Sequence, residues 1–363
     1  MLFRSIGLYI GTTVIAVTIG LTLVNIINPG HYLSTERRDQ LRESFAADLD
    51  TSIITAHSTK DSGPLQILVD IVPDNLFNSF SDNTNMLQVI FFAILFGVAM
   101  ILSPKEKVAP VKNFFDGANH VILAIVDIIM RYAPVGVFAL LASLTIDLEL
   151  LQALSVYSLN VVLGLALMVF VAYPLLLKSM TKVKYSRFMK AVLPAQILGF
   201  STSSSAATLP VTMDCVEKNL GVSEEVSSFV LPLGATINMD GTSIHQGVSA
   251  VFIAQAFGID LSLGQQLTIL MTAVLASIGA AAVPGAGIIM LIIVLEAVGL
   301  DPAGLALILA VDRPLDMLRT AVNVTGDSTV AAIIASSEGA IKDESELGKI
   351  KEIDTSQVDT SQS

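Results

Sequence analysis

Long apolar runs separated by short polar breaks dominate the chain. The first extends from Ile6 to Ile27 and stops at Asn28-Pro29-Gly30, a helix-ending triplet. It is too long for a signal peptide, with no small-residue cleavage site behind it. A polar segment, 31–63, follows and carries Glu36, Arg37, Arg38, Asp39, Arg42 and Glu43. Further apolar runs cover 64–102, 107–145 and 150–177, and a polar tail occupies 338–363. Crossing a bilayer as a helix takes about 20 apolar residues, so the pattern predicts membrane-spanning helices with a polar loop over 31–63.

Between 184 and 337 the apolar pattern is interrupted, twice in the same way. A segment over 184–213 is broken by Ser201-Thr202-Ser203-Ser204-Ser205 and ends near Pro210. A helix over 223–257 follows, itself broken at Asn238-Met239-Asp240-Gly241-Thr242. The second segment, 264–296, is broken at Ser277-Ile278-Gly279 and at Val283-Pro284-Gly285-Ala286-Gly287, and a polar-faced helix over 300–337 follows it. Irregular backbone is tolerated at membrane depth only against protein or a water-filled cavity. Paired, Gly/Pro-interrupted apolar segments point to a binding site at a repeat interface. The expectation is two re-entrant hairpins, 184–213 and 264–296, entering from opposite faces.

Composition sharpens this. Of 363 residues 53% are hydrophobic and only 14% charged, with a mean hydropathy of +0.72. A soluble domain carries roughly 25% charged residues, so this chain has too few to cover a water-facing surface. Its apolar content equally excludes disorder. The fold class is an all-α integral membrane protein. The formal charge, 20 − 32 = −12, argues against a nucleic-acid partner. One cysteine, Cys215, and four scattered histidines argue against a disulfide framework or a Cys/His metal centre. Bases crowd two connections, one with Lys105, Lys107 and Lys112, the other with Lys178, Lys182, Lys184, Arg187 and Lys190; 146–149 holds Asp147 and Glu149 and no base. The excess of Lys/Arg on cytoplasmic loops places 103–108 and 178–190 inside, 31–63 outside, and both termini inside.

The last helix holds the candidate chemistry. Asp316, Arg319, Asn323 and Asp327 are spaced 3, 4 and 4 and fall within about 80° of arc, on one face. Three unpaired charges at the bilayer centre would cost about 8–10 kcal/mol, at about 2.5–3.5 kcal/mol each. A mutually paired structural cluster is the plain reading. A site for a charged solute and cations is the functional one, because the stripe offers a cation for a carboxylate, a carboxylate for an ammonium, and spare oxygens. Asn238 and Asp240 beside Gly241 add oxygen ligands of the kind hard cations take. The run Ser203, Ser204, Ser205 offers hydroxyls and backbone N–H groups to an anion. A serine nucleophile with His245 as base is a third reading; no G-x-S-x-G elbow is present and no acidic partner for His245 is evident. Tyr9, Thr12 and Thr13 lie together on the first helix and read as ordinary packing polar groups.

At these residues the sequence resembles the dicarboxylate/amino acid:cation symporter family, which contains the glutamate transporters. The resemblance is carried by the serine-rich tip ending Thr208-Leu209-Pro210, by Leu231 through Thr242, by Val283 through Gly287 and by Asp316 through Asp327, and it extends from about Tyr9 to Gly339. It implies a glutamate-transporter-like fold with two re-entrant hairpins and broken helices. In that fold 1–30 and 150–337 form the mobile transport domain and 64–145 belongs to the scaffold and trimer contact. It implies that Asp316 holds a substrate amino group and Arg319 a side-chain carboxylate, within a shell of Ser203, Ser204, Ser205, Thr242, Val283, Gly287, Thr320 and Asn323. One Na⁺ site matches Gly234, Asn238, Asn323 and Asp327; a second matches Thr236, Ser277, Ile278 and Ala280; a third matches Tyr9, Thr12, Thr13, Asn238 and Asp240. Members are homotrimers in which the transport domain slides against a fixed scaffold. No cofactor is implied beyond Na⁺ as the coupling ion.

Both Arg319 and Asp316 being present favours an acidic amino acid, glutamate or aspartate, through bidentate carboxylate capture by arginine. The expectation is therefore a bacterial-type, multi-pass symporter of the cytoplasmic (inner) membrane. The alternatives are a proton-coupled glutamate or C4-dicarboxylate carrier, a channel, and an inactive remnant. Two departures stand out. Relatives often carry a second arginine at the position of Ser203 or Met317; here Arg313, one turn before Met317, is expected to supply that charge near Asp316 when the site is empty. Gln246 replaces the glutamate of potassium-coupled relatives, so potassium counter-transport is not expected. The family has eight membrane helices, and this chain is expected to begin at the counterpart of the third, as a truncated gene, a late start or a partial chain would give.

Overall fold

The computed structural model describes residues 1–44, 72–73, 75–81, 86–118, 121, 124–125, 128, 135, 148–279, 282 and 284–342. Parts of the expected scaffold, 64–145, including all of 136–145, and most of the loop 31–63 and tail 338–363 lie outside the described residues. The described residues form helices and one isolated antiparallel bridge, Val222 to Ile341. In chain order the helices are α1 (Leu2–Ile27), α2 (Thr35–Ser44), α3 (Leu76–Ser81), α4 (Met86–Leu102), α5 (Leu148–Leu167) and α6 (Tyr173–Met180). There follow α7 (Tyr185–Thr202), α8 (Ser205–Asp214), α9 (Glu224–Ile237), α10 (Asp240–Ala256), α11 (Leu263–Gly279), α12 (Ala286–Ala297) and α13 (Leu309–Glu338).

Several expected breaks are narrower than the sequence pattern suggested. Within 223–257 only Asn238 and Met239 leave the helix; Asp240-Gly241-Thr242 already form the first turn of α10. Ser201 and Thr202 are helical, and the turn to α8 is made by Ser203, in the left-handed region at φ 52, with Ser204 capping α8 through its side chain. Ser277 and Ile278 are helical too, since α11 continues to Gly279. Small and hydroxyl residues read as breakers here because apolar packing, not intrinsic propensity, decides whether a buried helix continues. The expected loop at 31–63 begins with a 3₁₀ turn, Pro29–Tyr32, and α2.

The core forms where α1, α5 and α13 pack around α10, whose residues are almost all buried. Apolar packing comes from Val17, Leu21, Tyr157, Ile244, Val248, Phe252 and Leu315. Tyr157 stacks on Phe252 at 4.8 Å between ring centroids. A second cluster, with Phe188, Val192, Val230, Leu231 and Val330, joins α7 and α9 to the far half of α13. Leu2–Tyr32 and Leu148–Met180 are long and apolar enough to cross a membrane. Large apolar side chains such as Phe3, Ile101, Leu102 and Leu263 point outward, as a bilayer-facing surface requires and a water-facing one avoids.

Glycine spacing tests this packing. A methyl at Gly30 would lie 2.3 Å from Gln255 Cβ and 2.9 Å from the Ala256 nitrogen, whereas nothing lies within 4 Å of one at Gly11. Gly30→Ala is expected to destabilise by about 1–3 kcal/mol through overpacking. Gly11→Ala should be neutral or stabilising by up to about 1 kcal/mol through helix propensity. Cys215, the sole cysteine and buried, makes the measurement direct: a thiol-reactive dye reports its exposure on heating, and the midpoint should fall only for Gly30→Ala.

Candidate functional site

The face of α13 predicted from spacing is where the helices converge. Two glycines set the distances. A methyl at Gly241 would lie 2.5 Å from the Arg319 carbonyl oxygen, and one at Gly326 would lie 2.6 Å from Asn238 Nδ2 and 2.7 Å from the Tyr173 hydroxyl. Both helices thus approach to backbone contact. The Gly241 N–H donates to Asn323 Oδ1 at 2.8 Å, and Asn323 Nδ2 is 3.3 Å from Thr242 Oγ1.

At the N-terminal end of the stripe Arg319 is fully buried. Its Nη2 lies 2.9 Å from Oδ1 of Asp312 and 2.9 Å from Oδ1 of Asp316. Nε and Nη1 have no hydrogen-bond partner among the described residues. Gly287 lies beside them, where a methyl would be 3.7 Å from Nη1. Asp316 Oδ2 accepts from the Gly285 N–H at 3.1 Å and is 3.7 Å from Arg313 Nη1, so Arg313, half-exposed, does reach Asp316. Ser203, Ser205, Met239, Thr242, Ala282, Ala286, Gly287, Asp316, Thr320 and Asn323 line a narrow cavity. The centres of water-sized spheres fit in about 20 Å³ of it, room for about one water. The Ser203 hydroxyl is buried without a partner. Ser204 does not line the cavity; its hydroxyl donates to the Ala282 carbonyl at 2.7 Å, tying the two hairpin tips together. Val283 lies outside the described residues.

At the other end two carboxylates are buried, Asp240 and Asp327. The Thr13 hydroxyl donates to Asp240 Oδ1 at 3.0 Å and the Tyr173 hydroxyl to Oδ2 at 2.8 Å. Asn238 Nδ2 donates to Asp327 Oδ1 at 3.0 Å, and the Thr12 hydroxyl to Asn238 Oδ1 at 3.2 Å. Tyr9 donates to the Val230 carbonyl at 2.9 Å, and a methyl at Gly234 would lie 2.4 Å from the Tyr9 hydroxyl and 2.7 Å from Asp327 Oδ1. Tyr9, Thr12, Thr13, Gly234, Asn238, Asp240, Asn323 and Asp327 therefore form one connected polar region. Among the described residues no Lys or Arg pairs with Asp240 or Asp327. The other expected set is not brought together by any described hydrogen bond. Thr236 is exposed and bonds back to the Pro232 carbonyl, Ser277 Oγ bonds to the Val274 carbonyl, and Ala280 lies outside the described residues.

Three further residues join the site: Asp312, a charge of the α13 sequence outside the expected substrate shell, Tyr173, which was missed from sequence, and His245, read there only as a candidate base. Asp312 sits seven residues before Arg319, hence about 20° from it on the helix, and extending the spacing count by one turn finds it. Tyr173, the hydroxyl on Asp240, stands alone in an apolar run and gives no such signal. His245 has an acidic neighbour after all: its Nε2 is 3.5 Å from Asp312 Oδ1. Its ring nitrogens carry no hydrogen bond, so none joins it to a serine.

The sequence model of the Sodium:dicarboxylate symporter family matches residues 1–337. Excitatory amino acid transporter 1 of Ambystoma tigrinum is 35% identical over 375 residues, covering 91% of this chain and 69% of the relative. An excitatory amino acid transporter of Caenorhabditis elegans is 37% identical, covering 90% and 71%. Excitatory amino acid transporter 4 of Rattus norvegicus is 40% identical over 293 residues, which is 80% of this chain and 52% of that one. With this match over nearly its whole length, the chain belongs to the sodium:dicarboxylate symporter family, a family of multi-pass membrane transporters.

Proposed function

We propose that this protein is a secondary active symporter that carries an acidic amino acid, glutamate or aspartate, into the cell together with Na⁺. One observation carries the proposal: the α13 face holds, among the described residues, a buried guanidinium with unpartnered Nε and Nη1 beside a cavity, and the buried Asp327 carboxylate, which like Asp240 of α10 lacks a cationic partner. A buried carboxylate lacking a counter-ion is expensive and is stabilised when a cation enters. Arg319 takes the substrate's side-chain carboxylate and Asp316 its amino group. Gly234, Asn238, Asn323 and Asp327 hold one Na⁺; Tyr9, Thr12, Thr13, Asn238 and Asp240 hold another. The set Thr236, Ser277, Ile278 and Ala280 rests on the resemblance alone. Binding and translocation need no chemical step, and the protein is not an enzyme.

An amino acid needs more room than one water, so its entry displaces the Ala282–Gly287 tip, which suits that tip as a gate. The segments 184–213 and 264–296 act as re-entrant hairpins, and 1–30 with 150–337 moves as a transport domain against a trimeric scaffold, an elevator in the inner membrane. The names of the relatives support the substrate class.

Uptake of labelled glutamate and aspartate into proteoliposomes tests the proposal. An inward Na⁺ gradient should drive accumulation of at least one of them, and a proton gradient without sodium should not. Equal accumulation on protons alone would overturn the sodium assignment in favour of a proton-coupled carrier. Arg319→Cys should reduce acidic substrate uptake by at least about 30-fold, as loss of a buried charge pair costs about 2 kcal/mol or more; retained glutamate transport removes Arg319 from the substrate site. Arg313→Ala should shift substrate affinity by less than about 5-fold, as a half-exposed ion pair is worth at most about 1 kcal/mol, and should loosen coupling. Unchanged affinity and coupling remove it from the site.

A further inference from the structure

A second cavity lies away from the α13 stripe, at the end of the molecule where α6 and α13 finish and α7 begins. It is lined by Ser179, Thr181, Lys182, Arg187, Ser336 and Lys342, with Met180, Val183 and Ile341 as apolar wall, and no carboxylate. Its volume, about 430 Å³ for the centres of water-sized spheres, is far larger than that of the cavity on the stripe.

The walls are fixed by backbone. Residues 340–342 are pinned against 221–223 by the Ser223 N–H on the Ala340 carbonyl and the Lys342 N–H on the Gly221 carbonyl, both at 2.9 Å. Arg187 reaches across with Nη2 on the Leu220 carbonyl at 2.9 Å and the Lys342 carbonyl at 3.3 Å. The Val183 N–H donates to Thr181 Oγ1 at 3.1 Å, closing the connection between α6 and α7. Two segments distant in sequence, the 182–187 connection and the stretch ending at Lys342, thus hold three cations around one hollow. Among the described residues no hydrogen bond or ion pair engages Nζ of Lys182 or Lys342. The nearest acid in sequence on α13, Glu338, is turned to Arg4 at 2.8 Å.

Cations near helix C-termini complement the helix dipole, and that accounts for one base at the end of α6 or α13. It does not account for a walled hollow with free ammonium groups and hydroxyls converging on it. Phosphoryl oxygens are what such a set recognises: ammonium groups as point charges, a guanidinium fork and hydroxyl donors. The bases belong to the connection that loop charge places in the cytoplasm, where the leaflet is rich in anionic lipid and basic pockets between helices take phosphorylated headgroups.

We propose that this pocket binds a phosphoryl anion, carried either by an anionic lipid headgroup or by a soluble phosphate, at a site separate from the one on the α13 stripe. The test uses the full chain purified in detergent and its Lys182→Gln/Lys342→Gln double variant, which alters two exposed side chains. Native mass spectrometry counts retained phosphatidylglycerol against phosphatidylcholine, and melting followed through Cys215 is repeated with inorganic pyrophosphate. Wild type should retain phosphatidylglycerol preferentially, and the double variant should bind it about 10-fold or more weakly with an unchanged lipid-free melting midpoint. Stabilisation by pyrophosphate without lipid retention, lost in the variant, assigns the site to a soluble anion. Equal phosphatidylglycerol retention by both proteins, or no response to either probe, overturns the proposal.

Discussion

Backbone contact between α10 and α13 is the constraint on which the site depends. Gly241 brings one helix against the carbonyl of Arg319, and Gly326 opens the other helix to Asn238, Tyr173 and Asp240. A side chain at either position would push the helices apart by more than a hydrogen bond can stretch. Then Asn323 could not accept from the Gly241 N–H, nor Asn238 donate to Asp327. The two-residue break at Asn238 and Met239 serves the same end, because it turns the Asn238 amide sideways between α1 and α13 while α9 and α10 continue as helices on either side.

That contact separates charge along one helix. Asp316 and Asp327 are eleven residues apart, or about 16 Å at 1.5 Å per residue. Around Arg319 the charges balance locally, two carboxylates on one guanidinium nitrogen with Arg313 behind them. Around Asp327 and Asp240, among the described residues, neutral hydroxyls and an amide are what compensate the acids. Moving a cation to the second pole and an amphoteric solute to the first improves the electrostatics of both, and the rigid helix between them keeps the two events in fixed geometry.

The stripe was legible because helical periodicity is strict: spacings of 3, 4 and 4 survive any packing. So was the break at Asn238, because Asn and Asp beside Gly compete for backbone hydrogen bonds. The extent of each break was not, since Ser201, Thr202 and Ser277 stay helical with their hydroxyls turned back on carbonyls of the preceding turn. Tyr173 was invisible as a site residue, and so was the Asp312 neighbour of His245, because both arise from side-chain contacts that the apolar pattern does not encode.

The carbonyl of Ala282 accepts from both the Ser204 hydroxyl, at 2.7 Å, and the Ala206 N–H, at 3.4 Å. This makes it a latch with a low threshold. Two such bonds are worth about 1–3 kcal/mol net, and the Gly285 N–H on Asp316 adds a third tie at 3.1 Å. Release is also one-sided. Ser204 still caps α8 through the Ala207 N–H at 3.1 Å, so the first tip keeps its shape when the second departs. In the proposed function the first tip acts as a stop and the second as a flap. A solute filling the cavity need shift the balance by only a few kcal/mol to decide which way the flap lies.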